Sequence, residues 1–317
     1  MNILVIGGTR LLGLAVVKQL AAAGHSITVL SRQPKRCPGG VECIGADRID
    51  GLNRLSGRTF DATIDFLGYD KAAPEQVFGK LDPGTYVLIS STWLVRLAPT
   101  VAADQAINLI DDAYAKVLPD ITFSYLIGKM SAETSVLEMR KRNGKATVLR
   151  LPIFWGHQEH TGRLDFYRQR IADGAPVICV NGGSNYAQLV WVEDVAHAFI
   201  HWLHKASERP IWEALPDEGT KVRDIIKLIA AGMGKQPVLV DIPSERLLDE
   251  LPDYLEIEPL WREVAINVTD NNIFKAADIT PTPQASWLCN LAKQPVDTGV
   301  SELLERELSF LEHVLSD

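Results

Sequence analysis

The chain has 317 residues, 46% of them hydrophobic and 23% charged, enough apolar material for two structural units around a sizeable core. That composition excludes a disordered tail, a collagen and a coiled coil. With 32 basic residues against 40 acidic ones the net charge is −8, which advertises no broad basic surface for DNA.

The opening MNILVIGG is a short apolar run without the basic leader of a signal peptide, and no run approaches the ~18 apolar residues that cross a bilayer. No membrane partner is expected. The four cysteines, Cys37, Cys43, Cys179 and Cys289, show no C-x-x-C pair or regular spacing. They read as free thiols, and the expected location is cytoplasmic.

Along the first half, runs rich in Val, Ile and Leu alternate with helical patterns. Asn2–Ile6, Ser26–Leu30, Val41–Ile44, Ala62–Phe66, Tyr86–Ile89 and Thr147–Leu151 read as strands, apolar on both faces, as buried parallel strands are. Leu11–Ala23 reads as a helix stopped by Gly24, and Met130–Lys141 as another. The fold class expected is α/β, a doubly wound parallel sheet of the Rossmann type.

After Leu151 the alternation loosens: Leu189–His204 reads as a strand entering a helix, and Val222–Gly232 as a further helix. The domain division expected is residues 1–152 plus about 188–206 for dinucleotide binding. A smaller substrate-binding domain would take about 153–187 and 207–317.

Between the first strand and the first helix lies Gly7-Gly8-Thr9-Arg10-Leu11-Leu12-Gly13. Glycine at a strand end permits a tight turn, and the helix start offers unpaired amides and partial positive charge to a pyrophosphate. Such a turn in this position points to a dinucleotide site. The second strand ends at Ser31-Arg32, with no carboxylate to accept the ribose hydroxyls of NAD. Arg32, with Lys35 and Arg36 nearby, supplies positive charge where a 2′-phosphate would lie, so NADP is expected, with NAD the alternative.

Tyr125 and Lys129 stand four residues apart, on one face if the segment is helical. A nearby ammonium favours phenolate and brings the phenol toward working pH, as a general acid/base requires.

Gly7 to Gly13 resembles the G-x-x-G-x-x-G of extended and atypical short-chain dehydrogenases/reductases, with Arg10 in place of the middle glycine. The wording GGTRLLG is similar to the NAD-dependent epimerase/dehydratase-like branch, which also contains the chloroplast stem-loop-binding proteins. The resemblance implies that Asp47 contacts the adenine and that Leu67 and Gly68 line the cofactor. It implies that Thr92, or next Ser91, hydrogen-bonds the substrate oxygen, that Tyr125 exchanges the proton, and that Lys129 holds the nicotinamide ribose. Glu133 fits the wording Y-x-x-x-K-x-x-x-E. Dimerisation through a helix such as Met130–Lys141 is a further implication.

Dehydratases of this family carry Asp-Glu after the Thr, whereas Trp93 and Leu94 follow here and do no acid–base work. Dehydration is disfavoured. Segments such as Leu149–Pro152, Thr161-Gly162-Arg163 and Gln188–Ala196 look like those around the family's sugar-nucleotide pocket. Arg163 is the first candidate for a substrate phosphate, since a guanidinium binds one bidentately, with Arg168 and Arg170 behind it. Trp93 and Trp155 lie beyond strand ends, where they could pack a sugar or base or belong to the core, and His157 and His160 lie in a loop. His197, His201 and His204 share a helix face with Glu193, but three ligands along one straight helix diverge, so no metal is expected.

The function expected is an NAD(P)-dependent oxidoreductase or epimerase acting on a nucleotide-activated sugar, by hydride transfer with Tyr125 as acid/base. The alternatives are a non-catalytic NAD(P)- or RNA-binding protein on the same fold and a reductase of a non-sugar ketone.

Overall fold

Apolar runs buried on both faces can satisfy their backbones only by pairing with one another. The computed structural model describes residues 1–94, 120–157, 159, 161–263, 265, 267–296 and 302–316, and in it those runs line up in parallel. β1 (Asn2–Ile6), β2 (Ser26–Ser31), β3 (Glu42–Gly45), β4 (Ala62–Asp65), β5 (Thr85–Ser91), β6 (Ala146–Leu151) and β7 (Ile211–Glu213) form one seven-stranded sheet. Its order is β7-β6-β5-β4-β1-β2-β3, with every pairing parallel. This is the expected doubly wound sheet, and its order reverses between β1 and β4.

Helices cover both faces. On one side Ile3 and Val5 pack with α1 (Leu11–Ala22) and α5 (Val192–Trp202) through Val16, Leu20, Val195, Phe199 and Trp202. On the other, Leu4 and Ile6 meet Leu52 of α2 (Arg48–Arg54), Val77 of α3 (Ala72–Lys80), and Ala132 and Val136 of α4 (Asp120–Asn143). The alternation of β1 side chains thus feeds two cores.

Helix α1 ends where the sequence said it would stop. Gly24 takes φ +85°, donates its N–H to Ala21, and lets His25 N–H reach back to the Leu20 carbonyl. That pair of bonds satisfies carbonyls the last turn would otherwise leave open.

In register, Ile6 lies level with Leu30 on one side and Asp65 on the other. The turns after β1, β2 and β4 therefore leave the sheet at one edge, where ligands bind in folds of this kind.

The cysteines correct the sequence reading in part. Pro34 packs against Gly45, so the short 3-10 turn Pro34–Arg36 folds back along β3. This brings Cys37 within 6.4 Å (Cα–Cα) of Cys43, and the two form a disulfide. Cys179 and Cys289 are free. Among the described residues, no helix is long and apolar enough to cross a membrane.

The chain divides into two compact units. The larger is Met1–Phe154 with Val190–Leu215 and Asn267–Pro281; the smaller is Trp155–Leu189 with Pro216–Ile266 and Thr282–Asp317. Residues 207–215 lie in the larger unit because β7 extends the sheet, with Ile211, Trp212 and Glu213 pairing Val148, Leu149 and Arg150. The smaller unit holds the parallel pair Val177–Val180 and Leu239–Ile242, the antiparallel pair Tyr186–Ala187 and Thr220–Lys221, and helices including Arg163–Asp173, Val222–Gly232, Gln284–Ala292 and Glu302–Ser316.

Within the smaller unit, Arg170 makes a bidentate pair with Glu307, both side chains almost wholly buried. The guanidinium also lies over the Phe166 ring, 3.6 Å from its centroid. Removing one partner leaves the other charge stranded without water. Glu307→Ala should therefore lower unfolding stability by about 3–5 kcal/mol in chemical denaturation, and Arg170→Met with Glu307→Leu should recover much of that loss. A double variant no more stable than the single one would show that the pair itself, rather than the stranded charge, supplies the energy.

Candidate functional site

The turn after β1 is shaped by three close approaches. Gly7 takes φ +91° and a Cβ there would lie 2.7 Å from Leu67 Cγ; one at Gly8 would strike Val5 and Val17, both at 2.7 Å. Gly13 lets the first turn of α1 press onto the strand end, with room for no Cβ beside the Gly7 carbonyl and Gly8 Cα, each 3.0 Å away. The first amides of α1 have no partner inside the helix, and the Arg10 side chain makes no capping bond. Arg10 is exposed and in extended backbone (φ −139°, ψ 149°), so the missing middle glycine costs nothing at that residue. The left-handed conformation falls instead on Leu11, at φ +38°, an unfavourable place for a branched side chain. Leu12 is buried beneath the turn.

At the end of β2, the buried Ser31 hydroxyl is held by the Thr9 hydroxyl at 2.8 Å and accepts the Gln33 N–H. Ser31 is thus committed to closing the turn. Arg32, Lys35 and Arg36 are exposed and have no ion pair among the described residues. Asp47, exposed, caps α2 by accepting the Asp50 N–H at 2.9 Å.

Beside β1, Asp65 ends β4 with no exposed surface. Its carboxylate accepts two bonds from Arg48 (3.0 and 2.6 Å), the Tyr86 hydroxyl (2.7 Å) and the Leu67 N–H (2.9 Å). Arg48 also reaches Gln76 and the Ala73 carbonyl. Burial, and then the Asp65 charge, holds the Tyr86 phenol far above its ordinary range, so it stays a donor. Gly68 is buried, with Leu88 where a Cβ would go.

Helix α4 brings Lys129 to the same place. Its ammonium, almost wholly buried, donates to the Ile89 carbonyl at 2.7 Å. Burial pushes Lys129 down to about 8, against the opposing pull of Asp65 and Glu133. The ammonium lies 5.9 Å from the centre of the Tyr125 ring and 4.6 Å from that of Tyr69. Tyr125 is 41% exposed, so a part-exposed tyrosine sits beside a buried cation. Glu133 of α4 makes a bidentate pair with Arg150 of β6 (closest 2.6 Å), which ties the helix to the sheet one turn beyond Lys129.

The hydroxyls after β5 are unequally placed. Thr92 is fully buried and donates to the Leu151 carbonyl at 3.3 Å. Ser91 is part-exposed; its oxygen accepts the Trp93 N–H at 3.2 Å, leaving its own proton for another acceptor. Trp93 is half-buried.

Of the candidates in the smaller unit, Trp155 is fully buried and meets Trp287 edge to face, as a core residue does. His157 is exposed and bonded to Gln294, and Arg163 is exposed at the start of its helix. Arg168 and Arg170 are not available to a substrate phosphate: both are buried, Arg168 on Asp165 and the Gln294 carbonyl, Arg170 on Glu307. His160 lies outside the described residues. On α5, His197 and His201 stack edge to face at 5.4 Å on the exposed surface.

Asp65, Arg48, Tyr86 and Tyr69 were not among the sequence candidates. The signal for Asp65 was present: a carboxylate closing an otherwise uncharged strand, Ala62-Thr63-Ile64-Asp65, demands a buried partner.

A lysine whose folded value lies near 8 and unfolded value near 10.4 binds fewer protons folded than unfolded across that interval. The cost of burying its charge is present in full below pH 8 and is relieved as pH rises through the window. The stability of the wild type relative to Lys129→Met should therefore rise by about 2 kcal/mol between pH 7 and pH 9.5. A flat difference across that range would show the ammonium to be better solvated than its burial implies.

Residues 99–213 match the NAD dependent epimerase/dehydratase family. The chain is 25% identical over 289 residues to 2′-dehydrokanamycin reductase of Streptomyces kanamyceticus, covering 83% of this chain and 76% of that protein. It is 24% identical over 259 residues to the chloroplast stem-loop binding protein of 41 kDa b of Arabidopsis thaliana, covering 75% and 65% respectively. Among solved structures, a UDP-glucose-4-epimerase from Stenotrophomonas maltophila, with bound NAD and formylated UDP-arabinopyranose, superposes with a TM-score of 0.64. That structure is 13% identical, and the match covers 98% of this chain and 99% of that one. The chain is thus similar to the NAD dependent epimerase/dehydratase family through residues 99–213, and over nearly its whole length it has the fold of a sugar-nucleotide epimerase.

Proposed function

We propose that this protein is an NADP-dependent reductase of a ketone on a sugar ring, with a nucleotide-activated sugar as the first substrate class to test. The observation that carries the reading is the half-exposed Tyr125 phenol beside the buried Lys129 ammonium, at the edge of the sheet where the glycine turn opens. A protein of similar sequence is named as a reductase of a dehydro compound, and a structure of like fold as an epimerase with bound NAD.

The residues fit a dinucleotide. The close approach of Gly13 to Gly7 and Gly8 clears space over the free amides of α1 for a pyrophosphate, and Leu67 walls the turn. Asp47 keeps acceptor capacity for the adenine amine beyond its capping bond. Arg32, with Lys35 and Arg36, takes the 2′-phosphate; Ser31, bound to Thr9, offers no competing anion. When bound, the reduced cofactor supplies hydride to the carbonyl carbon.

This chain's own groups manage the oxygen. Ser91 donates a hydrogen bond to the carbonyl oxygen, the role first expected of Thr92, whose hydroxyl is turned to Leu151. Tyr125 delivers the proton to that oxygen, and Lys129 keeps the resulting phenolate stable. Return of hydride to the other face of a retained ketone would give epimerisation from the same residues. Trp93 and Leu94 supply no acid or base for loss of water.

Calorimetric titration should give micromolar binding of NADPH and at least roughly tenfold weaker binding of NADH. Arg32→Ala should cost about tenfold in NADPH affinity and leave NADH unchanged, the value of one charge-assisted bond. Tyr125→Phe should bind NADPH as the wild type does and lose about 100- to 10,000-fold in kcat on a ketosugar. Full turnover by that variant removes Tyr125 from the mechanism. An RNA-binding reading has Arg10, exposed at the turn, in its favour and the net charge of −8 against it. A salt-dependent RNA shift at sub-micromolar protein, with no NADPH binding, would replace the first reading by that one.

A further inference from the structure

Lys129 has a second aromatic neighbour, nearer than Tyr125. Tyr69 follows Gly68 in the loop after β4, and its ring centre lies 4.6 Å from the ammonium, against 5.9 Å for Tyr125. The two phenol rings meet at 6.2 Å, tilted by 55°. The loop is held from both ends: Asp65 accepts the Leu67 N–H, and Gly128 of α4 lies so close that a Cβ there would come 2.2 Å from the Tyr69 carbonyl. Glycine is otherwise unfavourable inside a helix, so its presence one residue before Lys129 marks the approach of loop to helix. Tyr69 is itself half exposed.

An ammonium has three N–H donors. One goes to the Ile89 carbonyl. We propose that Tyr69 is a positioning residue for Lys129: its ring face closes a second side of the buried ammonium, so that a single direction is left open for an incoming oxygen. A cation over a desolvated ring face is attracted by the ring quadrupole, and the phenol hydroxyl is not needed for it. Burial and the Asp65 charge raise the Tyr69 phenol, so the ring stays neutral at working pH. The other groups facing Lys129 are Asp65 at the end of β4, Arg48 at the start of α2, and Glu133 and Tyr125 on its own helix. Only in naming the incoming oxygen as a cofactor hydroxyl does the inference rest on the reading above.

The test separates ring from hydroxyl, and positioning from cofactor binding. In ligand-free protein with labelled lysine, the Lys129 13Cε resonance, assigned by its loss in Lys129→Arg, is followed against pH. Tyr69→Leu should lower the midpoint by roughly 0.4 to 1.5 pH units, because the charged form loses the ring, while Tyr69→Phe should leave it in place. An unchanged midpoint in Tyr69→Leu overturns the proposal. So does an upward shift, which would mean that the ring merely excludes water, and so does an equal shift in both variants, which would assign the effect to the hydroxyl. A second arm titrates NADPH into the three proteins. Roughly three- to tenfold weaker binding by Tyr69→Leu alone extends the role to the cofactor. Absence of NADPH binding in the wild type would retire the cofactor reading while leaving the first arm decisive for Tyr69.

Discussion

A carboxylate without water, Asp65, is the constraint on which the site depends. Burying an isolated anion is expensive, and the chain meets that cost by surrounding it with a guanidinium, a phenol and a backbone amide. Each partner carries a separate piece of architecture. Arg48 fixes the start of α2, Tyr86 joins β5 to β4, and the Leu67 amide sets the loop that walls the glycine turn and presents Tyr69. The field of the same anion helps Lys129 keep its proton in a place where burial works against it. Fold and site therefore share one electrostatic centre.

The sheet was largely legible in the sequence because its signal is local. Six apolar runs of strand length fell where strands formed, and Gly24 stopped α1 through a left-handed backbone that other residues resist. The errors at strand ends have a cause: Ser90 and Ser91 look polar and loop-like, yet they continue the ladder opposite Arg150 and Leu151. β7 was missed as a strand because three residues, Ile211 to Glu213, carry too short a pattern to read.

The candidate site was legible at the level of motif and opaque at the level of partners. Gly7 to Gly13 and the Tyr125–Lys129 pair sit at the sheet edge that the pattern implied. What the sequence could not reveal is which hydroxyl faces inward, since Ser91 and Thr92 differ only in the alternation of a strand end. Nor could it pair Asp65 with Arg48 and Tyr86, 17 and 21 residues away, because nothing in the spacing records that contact. Cys37 and Cys43 failed as free thiols for a similar reason: their meeting depends on a turn folding back over Gly45. Arg168 and Arg170, candidates behind Arg163 for a substrate phosphate, are charges the smaller unit uses up inside itself.

The remaining charges show two ways of placing a cation. Lys129 is held in a fixed position by burial, which lowers its affinity for a proton and makes its behaviour depend on every neighbour. Arg10, Arg32, Lys35 and Arg36 stand in water at the ends of β1 and β2, where a charge costs little and interacts at long range with an approaching anion. The first arrangement suits a group that must be in one place when a proton moves; the second suits attraction of a phosphate on a chain whose net charge is −8. Substitution of the exposed cations therefore leaves the core undisturbed. Substitution around Lys129 reaches, through Asp65, the packing of β4, β5, α2 and α4 together.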